Sequence, residues 1–251
     1  MSRPGPARPE AGSPGDRAGS AAIAPLVLAI ETATTRAIVA VSTIDGTMLA
    51  AETWDAGHRH AEELLARVAA VLERSGVGRP RAGSLAGVVV GTGPGGFTGL
   101  RVGLATARGI ARAAGAPLVG IPTGIALEAA ARAVGVVPRG SSVAVLLPAG
   151  PAGRYLIRDR TASLASLFED ADEPSPGVVV LAVDLAGRAE PEALARGAAA
   201  RGALSEALLA LGCARLRAGD DDAATVGPEY VTMPRGVAAA AGEVAWSPAR
   251  P

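Results

Sequence analysis

The residues best placed to do chemistry are the glycines in segment 91–96, which follows the apolar run 88–90. Four of these six residues are glycine and one is proline, so the backbone must turn sharply there or approach another group closely. A helical pattern begins at Thr98, a residue type that caps helix N-termini, and it ends at Gly115. A strand, a glycine loop and a helix in this order present backbone N–H groups that can bind an anion.

Two phosphate-binding motifs come close to matching this loop, and neither is complete. The spacing G-x-G-x-x-G over residues 91–96 is that of the dinucleotide fingerprint, but the acidic residue expected about twenty positions later is missing. Pro94 removes one N–H group that a phosphate would need, and the chain contains no Lys for a P-loop. A glycine-loop site without an assigned cofactor is the remaining hypothesis, and its residues are Gly91, Gly93, Pro94, Gly95, Gly96, Phe97 and Thr98.

The helix after the loop is predicted to have two unlike faces. At about 100° per residue, Arg101, Arg108 and Arg112 share one face. Small residues cover the opposite face, which another helix or a sheet could approach closely. Two interpretations stay open: this small face lies on the chain's own sheet, or it forms a seam for a partner helix. The residues assigned to the small face are Gly99, Gly103, Ala107 and Ile110.

Composition limits the class of protein. With 49% hydrophobic and only 2% aromatic residues, the chain can bury a core made mainly of Ala, Val and Leu. The formal net charge is zero, which argues against a protein that binds nucleic acid over its whole surface. No apolar run reaches the roughly eighteen residues of a membrane span. The single cysteine, Cys213, is expected to be buried and fits a reducing cytosol, so we predict a cytoplasmic location.

The pattern along the chain predicts two lobes between two loose tails. Residues 1–24 are rich in Pro, Gly, Ala and Arg and are expected to be disordered, and residues 233–251 are expected to be loose. The first lobe, 25–139, has the predicted order βββαβαβα, with a meander at 26–31, 36–43 and 47–53 and a helix at 60–74. The second lobe, 140–232, has strands at 143–147, 154–158 and 178–183 and helices at 193–200 and 203–216.

Three polar clusters offer chemistry but have simpler explanations. The hydroxyls of the turn at 32–35 could bind a phosphate, although such residues more often hydrogen-bond their own backbone. His58 and His60 precede two glutamates, yet residues two apart do not share a helix face, so a metal site is not predicted. The three consecutive aspartates at 220–222 are expected to be a solvated helix end. We therefore predict no catalytic cluster and no metal.

The segments LAIETATTRAIVAV, HAEELLARVAAVL, GTGPGGFTGLRVGLATARGIA and LVGIPTGIAL together resemble the TsaB (YeaZ) family. Members typically carry Gly-Pro-Gly-Ser-Phe-Thr-Gly-Leu-Arg at the loop, so residues 93–101 match with Gly96 in the serine's position. The resemblance covers about residues 26–130. It implies an α/β protein with the actin/sugar-kinase/Hsp70-like (ribonuclease H-like) fold. The second lobe is expected to be degenerate, because residues 148–155 lack most charges of the family's stretch.

The resemblance also implies a function. Such proteins are non-catalytic subunits that support a TsaD-like paralogue, which transfers threonylcarbamoyl to a tRNA adenosine beside the anticodon, with a TsaE-like ATPase alongside. The chain would contact tRNA through the complex, form a homodimer when alone, and hold no cofactor of its own, with any nucleotide at a partner interface. In the family two helices of each first lobe form a four-helix bundle. The helices map here onto residues 60–74 and 98–114, so the expected interface adds Leu64, Leu65, Val68 and Leu72 to the small face.

Two other functions stay open from the residues alone. An active ATPase or small-molecule kinase of the same fold is favoured by the polar turn and the glycine loop. Against it, the first strand ends in Glu31 where the family usually has Asp, no glycine follows, and no second acidic strand end is evident for Mg²⁺. A metallopeptidase is disfavoured by the histidine spacing. The arginine face could contact tRNA, acidic groups of a partner, or water.

Overall fold

The computed structural model describes residues 25–57, 59–76, 78, 82–149, 153–158, 161–166 and 177–229. This part of the chain forms two mixed sheets and five helices. The strands are β1 (Leu26–Glu31), β2 (Arg36–Thr43), β3 (Met48–Asp55), β4 (Gly87–Gly91), β5 (Leu118–Ile121), β6 (Val143–Pro148), β7 (Gly153–Arg158), β8 (Thr161–Ser166) and β9 (Val179–Ala182). The helices are α1 (His60–Arg74), α2 (Phe97–Ala114), α3 (Thr123–Ala133), α4 (Pro191–Gly202) and α5 (Leu204–Arg217).

The first sheet has the strand order β3-β2-β1-β4-β5. Strands β1 to β3 form an antiparallel meander, whereas β4 runs parallel to β1 and β5 runs parallel to β4. Every residue of β1 and β4 is buried, as their nearly continuous apolar runs require when both faces of a sheet are covered. Because β1 and β4 are parallel neighbours, their carboxyl ends at Glu31 and Gly91 lie side by side.

Helices cover both faces of the first sheet. α1 and α2 pack on one face, around a core that includes Leu28, Ile30 and Leu104. α5 packs on the other face, and α3 packs beside α5. The core on this second side also contains Leu147 and Leu181 from the other sheet, so one apolar cluster joins the two sheets.

The second sheet has the strand order β8-β7-β6-β9, in which β6 is parallel to β9 and antiparallel to β7. Helix α4 packs against β9. A small core that includes Leu146, Leu156 and Leu185 forms on one face of this sheet. Asp184 follows β9 and therefore lies near the carboxyl ends of the parallel strands β6 and β9.

Most predicted elements are confirmed, and β1, β2 and α1 have the predicted bounds. The cap predicted at Thr98 is wrong: α2 begins at Phe97, its N-cap residue is Gly96, and no side chain caps it. Strand β8 lies in a segment for which no strand was predicted. Helix α5 falls in the predicted second lobe yet packs on the first sheet. The lobe limits stay predictions, and the tails at 1–24 and 233–251 lie outside the described residues.

None of the helices in the described part of the chain is long and apolar enough to cross a membrane.

Candidate functional site

The glycine loop connects β4 to α2, and its glycines make room for other parts of the same chain. The peptide bond Gly93–Pro94 is cis, and Gly93 has a φ of +94°. A Cβ atom at Gly95 would collide with the carbonyl oxygen of Ala33, and one at Gly91 would collide with the carboxylate of Glu31. The glycines predicted that another group comes close to this loop. The groups that do so are the turn at 32–35 and the end of β1.

Several N–H groups of this loop are used inside the fold. The Gly96 N–H donates to the Ala33 carbonyl at 2.8 Å, and the Gly93 N–H donates to Thr123 Oγ1 at 3.1 Å. Pro94 has no N–H group. Only the tip of the loop, at Gly96, Phe97 and Thr98, is exposed. Through these bonds the loop braces the carboxyl ends of β1 and β4.

Glu31 is the acidic residue at the end of β1, and it is completely buried. Its Oε1 accepts the Ala33 N–H at 2.6 Å, and its Oε2 accepts the Thr123 hydroxyl at 2.8 Å. Burial raises the pKa of Glu31, and the hydrogen bonds from Ala33 and Thr123 oppose this rise. The carboxyl group thus ties β1 to the turn at 32–35 and to the start of α3. It does not face a space in which a metal–nucleotide complex could bind.

The interface predicted on the small face of α2 is wrong for three of its four residues. Gly99, Gly103 and Ala107 are buried against the chain's own first sheet and turn. A Cβ atom at Gly103 would collide with Thr32 Oγ1, and the Thr32 hydroxyl donates to the Gly99 carbonyl at 2.8 Å. The first of the two open interpretations, a helix lying on its own sheet, is therefore the correct one.

Three residues predicted at the interface on α1 are also in the core. Leu64, Val68 and Leu72 are at most 3% exposed and pack with β1, β2 and α2. Their burial has an ordinary cause, because α1 must cover the apolar first sheet with its own apolar stripe. Leu65 lies outside this stripe and is 62% exposed. Of the eight predicted interface residues, Leu65 and the half-buried Ile110 remain accessible.

An apolar groove of about 520 Å³ runs between α1 and α2 on the outer surface. We call it the α1/α2 groove, and it is lined by Leu65, Val68, Ala69, Leu72, Glu73, Gly78 and Ile110. Beside it, the outward side of α2 is uncharged and mostly small, and consists of Val102, Ala105, Thr106, Gly109 and Ala113. A mostly apolar surface between two helices is therefore accessible. Its lining includes four of the predicted interface residues, Leu65, Val68, Leu72 and Ile110, but not the three small residues of α2.

The predicted arginine face of α2 is partly tied to the chain itself. The guanidinium of Arg101 lies 3.9 Å from the centroid of the Phe97 ring, in cation–π geometry. Arg108 donates a hydrogen bond to the carbonyl oxygen of Val226. Arg112 is exposed. The face is basic and lies on a different side of α2 from the α1/α2 groove.

The three aspartates after α5 are not a simple solvated helix end, contrary to the prediction. Asp221 accepts the Leu118 N–H at 3.1 Å, and Asp222 accepts the Gly120 N–H at 2.9 Å. Arg215 donates to Asp222 and lowers the pKa of its carboxyl group. These aspartates fasten the chain after α5 to the edge of β5.

Two other candidate groups, His60 and Cys213, are buried. His60 is buried beside Gly99, and His58 lies outside the described residues. Cys213 is buried as predicted, and burial raises the pKa of its thiol. Within the described ranges, no group of three or more His, Cys, Asp or Glu residues could hold a metal ion.

Sequence reasoning missed one polar contact between the two sheets. Asp184 Oδ2 accepts the Thr35 N–H at 2.7 Å, and Oδ1 accepts the Thr35 hydroxyl at 2.8 Å. Arg201 also donates to Oδ1, at 2.6 Å. Thr35 and Asp184 are 149 positions apart, and no local pattern connects them.

Comparison with solved structures identifies the fold. YeaZ from Pseudomonas aeruginosa matches with a TM-score of 0.57 and 22% identity, over 82% of this chain and 99% of that chain. The chain has the YeaZ fold. A second solved structure, of an uncharacterized protein with similarity to peptidase YeaZ from Pseudomonas aeruginosa, matches with a TM-score of 0.60 and 20% identity, over 83% of this chain and all of that one. The predicted actin/sugar-kinase/Hsp70-like fold class is confirmed.

Comparison at the sequence level agrees with this fold. Residues 54–172 match the family model described as TsaD, tRNA N6-adenosine threonylcarbamoyltransferase. A curated but uncharacterized protein of Mycobacterium leprae is 40% identical over 100 residues, which are 38% of this chain. The match spans 27% of the length of that protein. The predicted resemblance to the TsaB (YeaZ) family is confirmed by the family model and the fold together.

Proposed function

We propose that this chain is a non-catalytic scaffold subunit that supports a TsaD-like catalytic partner. The reaction is transfer of threonylcarbamoyl to a tRNA adenosine next to the anticodon. The match of residues 54–172 to the TsaD family model and the YeaZ fold support this chemistry. The observation that carries the scaffold role is the α1/α2 groove, a mostly apolar surface between two helices with an exposed leucine at its edge.

The α1/α2 groove fits a helical partner better than a small polar ligand. Leu65 is 62% exposed, and burying a leucine side chain fully contributes about 1.5–3 kcal/mol relative to exposure. The outward residues of α2 beside it are small, so a partner helix can approach the backbone closely. Among the described residues that line the groove, Glu73 is the one ionisable side chain. Docking of apolar helices here leaves the arginine face of α2 uncovered, so tRNA can reach it.

The carboxyl ends of the first sheet support a structural role rather than phosphate transfer by this chain alone. Glu31 is buried and bonded within the fold, and the Gly93 and Gly96 N–H groups already have acceptors. The Thr35 N–H and hydroxyl are bonded to Asp184. A nucleotide that binds at the carboxyl ends of the first sheet would have to displace several of these hydrogen bonds. We therefore assign no cofactor to the isolated chain and place any nucleotide at the interface with the partner.

The proposal includes further partners and a location. A TsaE-like ATPase works beside the complex, and tRNA is bound through the complex. Without the catalytic partner, two copies of the chain pair through the same α1/α2 groove. The complex acts on tRNA in the cytoplasm.

The test is binding to the TsaD-like protein of the same source, measured by calorimetry with purified components. Leu65→Glu places a charge at the edge of the α1/α2 groove and should weaken binding by about tenfold or more, since burying an unpaired charge costs well over 1.4 kcal/mol. Leu49→Glu is the matched control, because Leu49 is exposed on β3 and outside the groove.

Two results would overturn the proposal. Equal affinities of wild type and Leu65→Glu would remove the groove as the docking surface. Threonylcarbamoyl transfer by the purified chain without any partner would remove the non-catalytic role. Loss of affinity in Leu49→Glu as well would show that the effect is not confined to the groove.

A further inference from the structure

The contact between Asp184 and Thr35 joins the two sheets where their carboxyl ends meet. Asp184 follows β9 of the second sheet, and Thr35 lies in the turn between β1 and β2 of the first. The Asp184 side chain is only 5% exposed, although it carries a charge. A buried charge is tolerated when it is paired and hydrogen-bonded, and here three donors surround one carboxylate.

These three donors form the kind of site that binds an oxyanion. A backbone N–H, a hydroxyl and a guanidinium converge from Thr35 and Arg201. Each can donate equally well to a carboxylate or to a phosphate oxygen. The turn at 32–35 is also the segment whose hydroxyls could bind a phosphate by sequence, although bonds to their own backbone were the favoured interpretation. In the structure the carboxylate of Asp184 accepts the hydrogen bonds that Thr35 of this turn donates.

The backbone of Asp184 gives a second, independent observation. Its φ is +58°, the left-handed region, and Asp184 is the only residue other than glycine with a positive φ in the described ranges. This conformation costs free energy for any residue with a Cβ atom, and Asp and Asn tolerate it best. Strained backbone of this kind persists where surrounding contacts hold it in place. Here the contacts to Thr35 and Arg201 do so.

We propose that Asp184 is a built-in substitute for a ligand oxyanion. It fills an anion site made by Thr35 and Arg201, and so holds the two sheets together without a bound phosphate or nucleotide. Once Asp184 is removed, the same donors accept a small oxyanion from solution. The inference concerns the chain alone and does not depend on the proposed function.

The test uses Asp184→Gly, because glycine adopts a positive φ without strain and leaves the three donors vacant. We expect amide hydrogen exchange at Thr35 in the variant, measured by NMR in the full chain, to be about tenfold faster than in wild type. The reason is that the Thr35 N–H loses its hydrogen bond to a charged group. Sodium formate or inorganic phosphate should restore the slow exchange in the variant and leave wild type unchanged. Sodium chloride at the same ionic strength is the control salt, and Asp55→Asn, which removes an exposed carboxylate nearby, is the control variant.

Several outcomes would overturn the proposal. Exchange at Thr35 that is unchanged in Asp184→Gly would show that the carboxylate does not hold the turn. Failure of both formate and phosphate to slow exchange in the variant would show that no anion site exists. An equal response of wild type and variant to the anions would place their binding elsewhere.

Asp184→Asn decides the question if the glycine variant does not fold. Asparagine keeps the volume and tolerates the same backbone conformation, but its amide has one acceptor oxygen for three donors. At least one donor of Thr35 or Arg201 then faces an NH₂ group, so exchange is expected to be faster at the Thr35 amide or at the Arg201 guanidinium, both followed by NMR. Exchange at the wild-type rate at both groups in Asp184→Asn would contradict the proposal.

Discussion

Gly103 and Gly109 belong to the same helix, α2, and the same substitution should have opposite effects on stability at these two positions. A Cβ atom at Gly103 would collide with Thr32 Oγ1 and would lie 3.3–3.4 Å from two other Thr32 atoms. A Cβ atom at Gly109 would have no atom within 4 Å. Gly103 is buried, and Gly109 is exposed. Comparing alanine substitutions at these two positions therefore separates the effect of close packing on stability from the effect of helix propensity.

The expected magnitudes follow from these contacts. Alanine in a helix interior is more stable than glycine by about 0.5–1 kcal/mol, because less backbone entropy is lost on folding. Gly109→Ala should show this gain in the free energy of unfolding. At Gly103 the gain is opposed by overpacking of about 1–3 kcal/mol and by loss of the Thr32–Gly99 hydrogen bond, worth about 1 kcal/mol. Gly103→Ala should therefore destabilise the fold by about 1–3 kcal/mol.

Urea denaturation of the two single variants measures the difference directly. Thr32→Ala removes the hydroxyl that the new methyl group would meet, so Gly103→Ala should cost less in that background than in wild type. If Gly103→Ala and Gly109→Ala stabilise the chain equally, the turn at 32–35 does not pack on α2 at this point. Additive effects of Thr32→Ala and Gly103→Ala would refute the direct contact in the same way.

Two further predictions concern pH. Burial raises the pKa of Glu31 above 4.5, so its stabilising contribution is present below about pH 4.5 and is lost as the pH rises through the folded-state pKa. Denaturation curves across this range should show that loss in wild type, and the loss should be absent in Glu31→Gln. Arg215 lowers the pKa of Asp222 below 3.8, so the contribution of Asp222 is present above that pH and is lost as the pH falls through the folded-state pKa. Asp222→Asn should remove this loss on the acid side, and an unchanged acid transition would contradict the assignment.

Elements were predictable where their signals are local. The period of 3.6 residues and the acidic first turn identify α1 with its observed bounds. The alternation around the Asp45-Gly46 turn identifies β2 and the approximate position of β3. Strand β8 was missed, although its partner β7 was predicted, because Thr161–Ser166 contains only one β-branched residue and no aromatic residue. The cap of α2 was misplaced because Gly96 serves as the N-cap residue, and a glycine at that position looks like one more loop residue.

The candidate site was harder to predict because its contacts are long-range. The glycines at 91–96 correctly indicated that something comes close, but glycine carries no information about what that is. Here it is Glu31 and Ala33, which are roughly sixty positions away in the chain. For α2, the helical wheel placed the small face well enough to identify Gly99 and Gly103 as close-contact positions. It could not show that Thr32, and not a partner, supplies the contact.

The turn at 32–35 is held from two sides, and this arrangement argues for a rigid body rather than an opening cleft. On one side, Gly95 and Gly103 allow Ala33 and Thr32 to pack against the glycine loop and α2. On the other side, Asp184 binds Thr35 across the gap between the sheets. A cleft that opens and closes around a ligand would need these donors free in one conformation and hydrogen-bonded to the ligand in the other. Because contacts within the chain hold this turn against α2, we expect the outer surfaces of α1 and α2 to keep their shape when a partner docks at the α1/α2 groove.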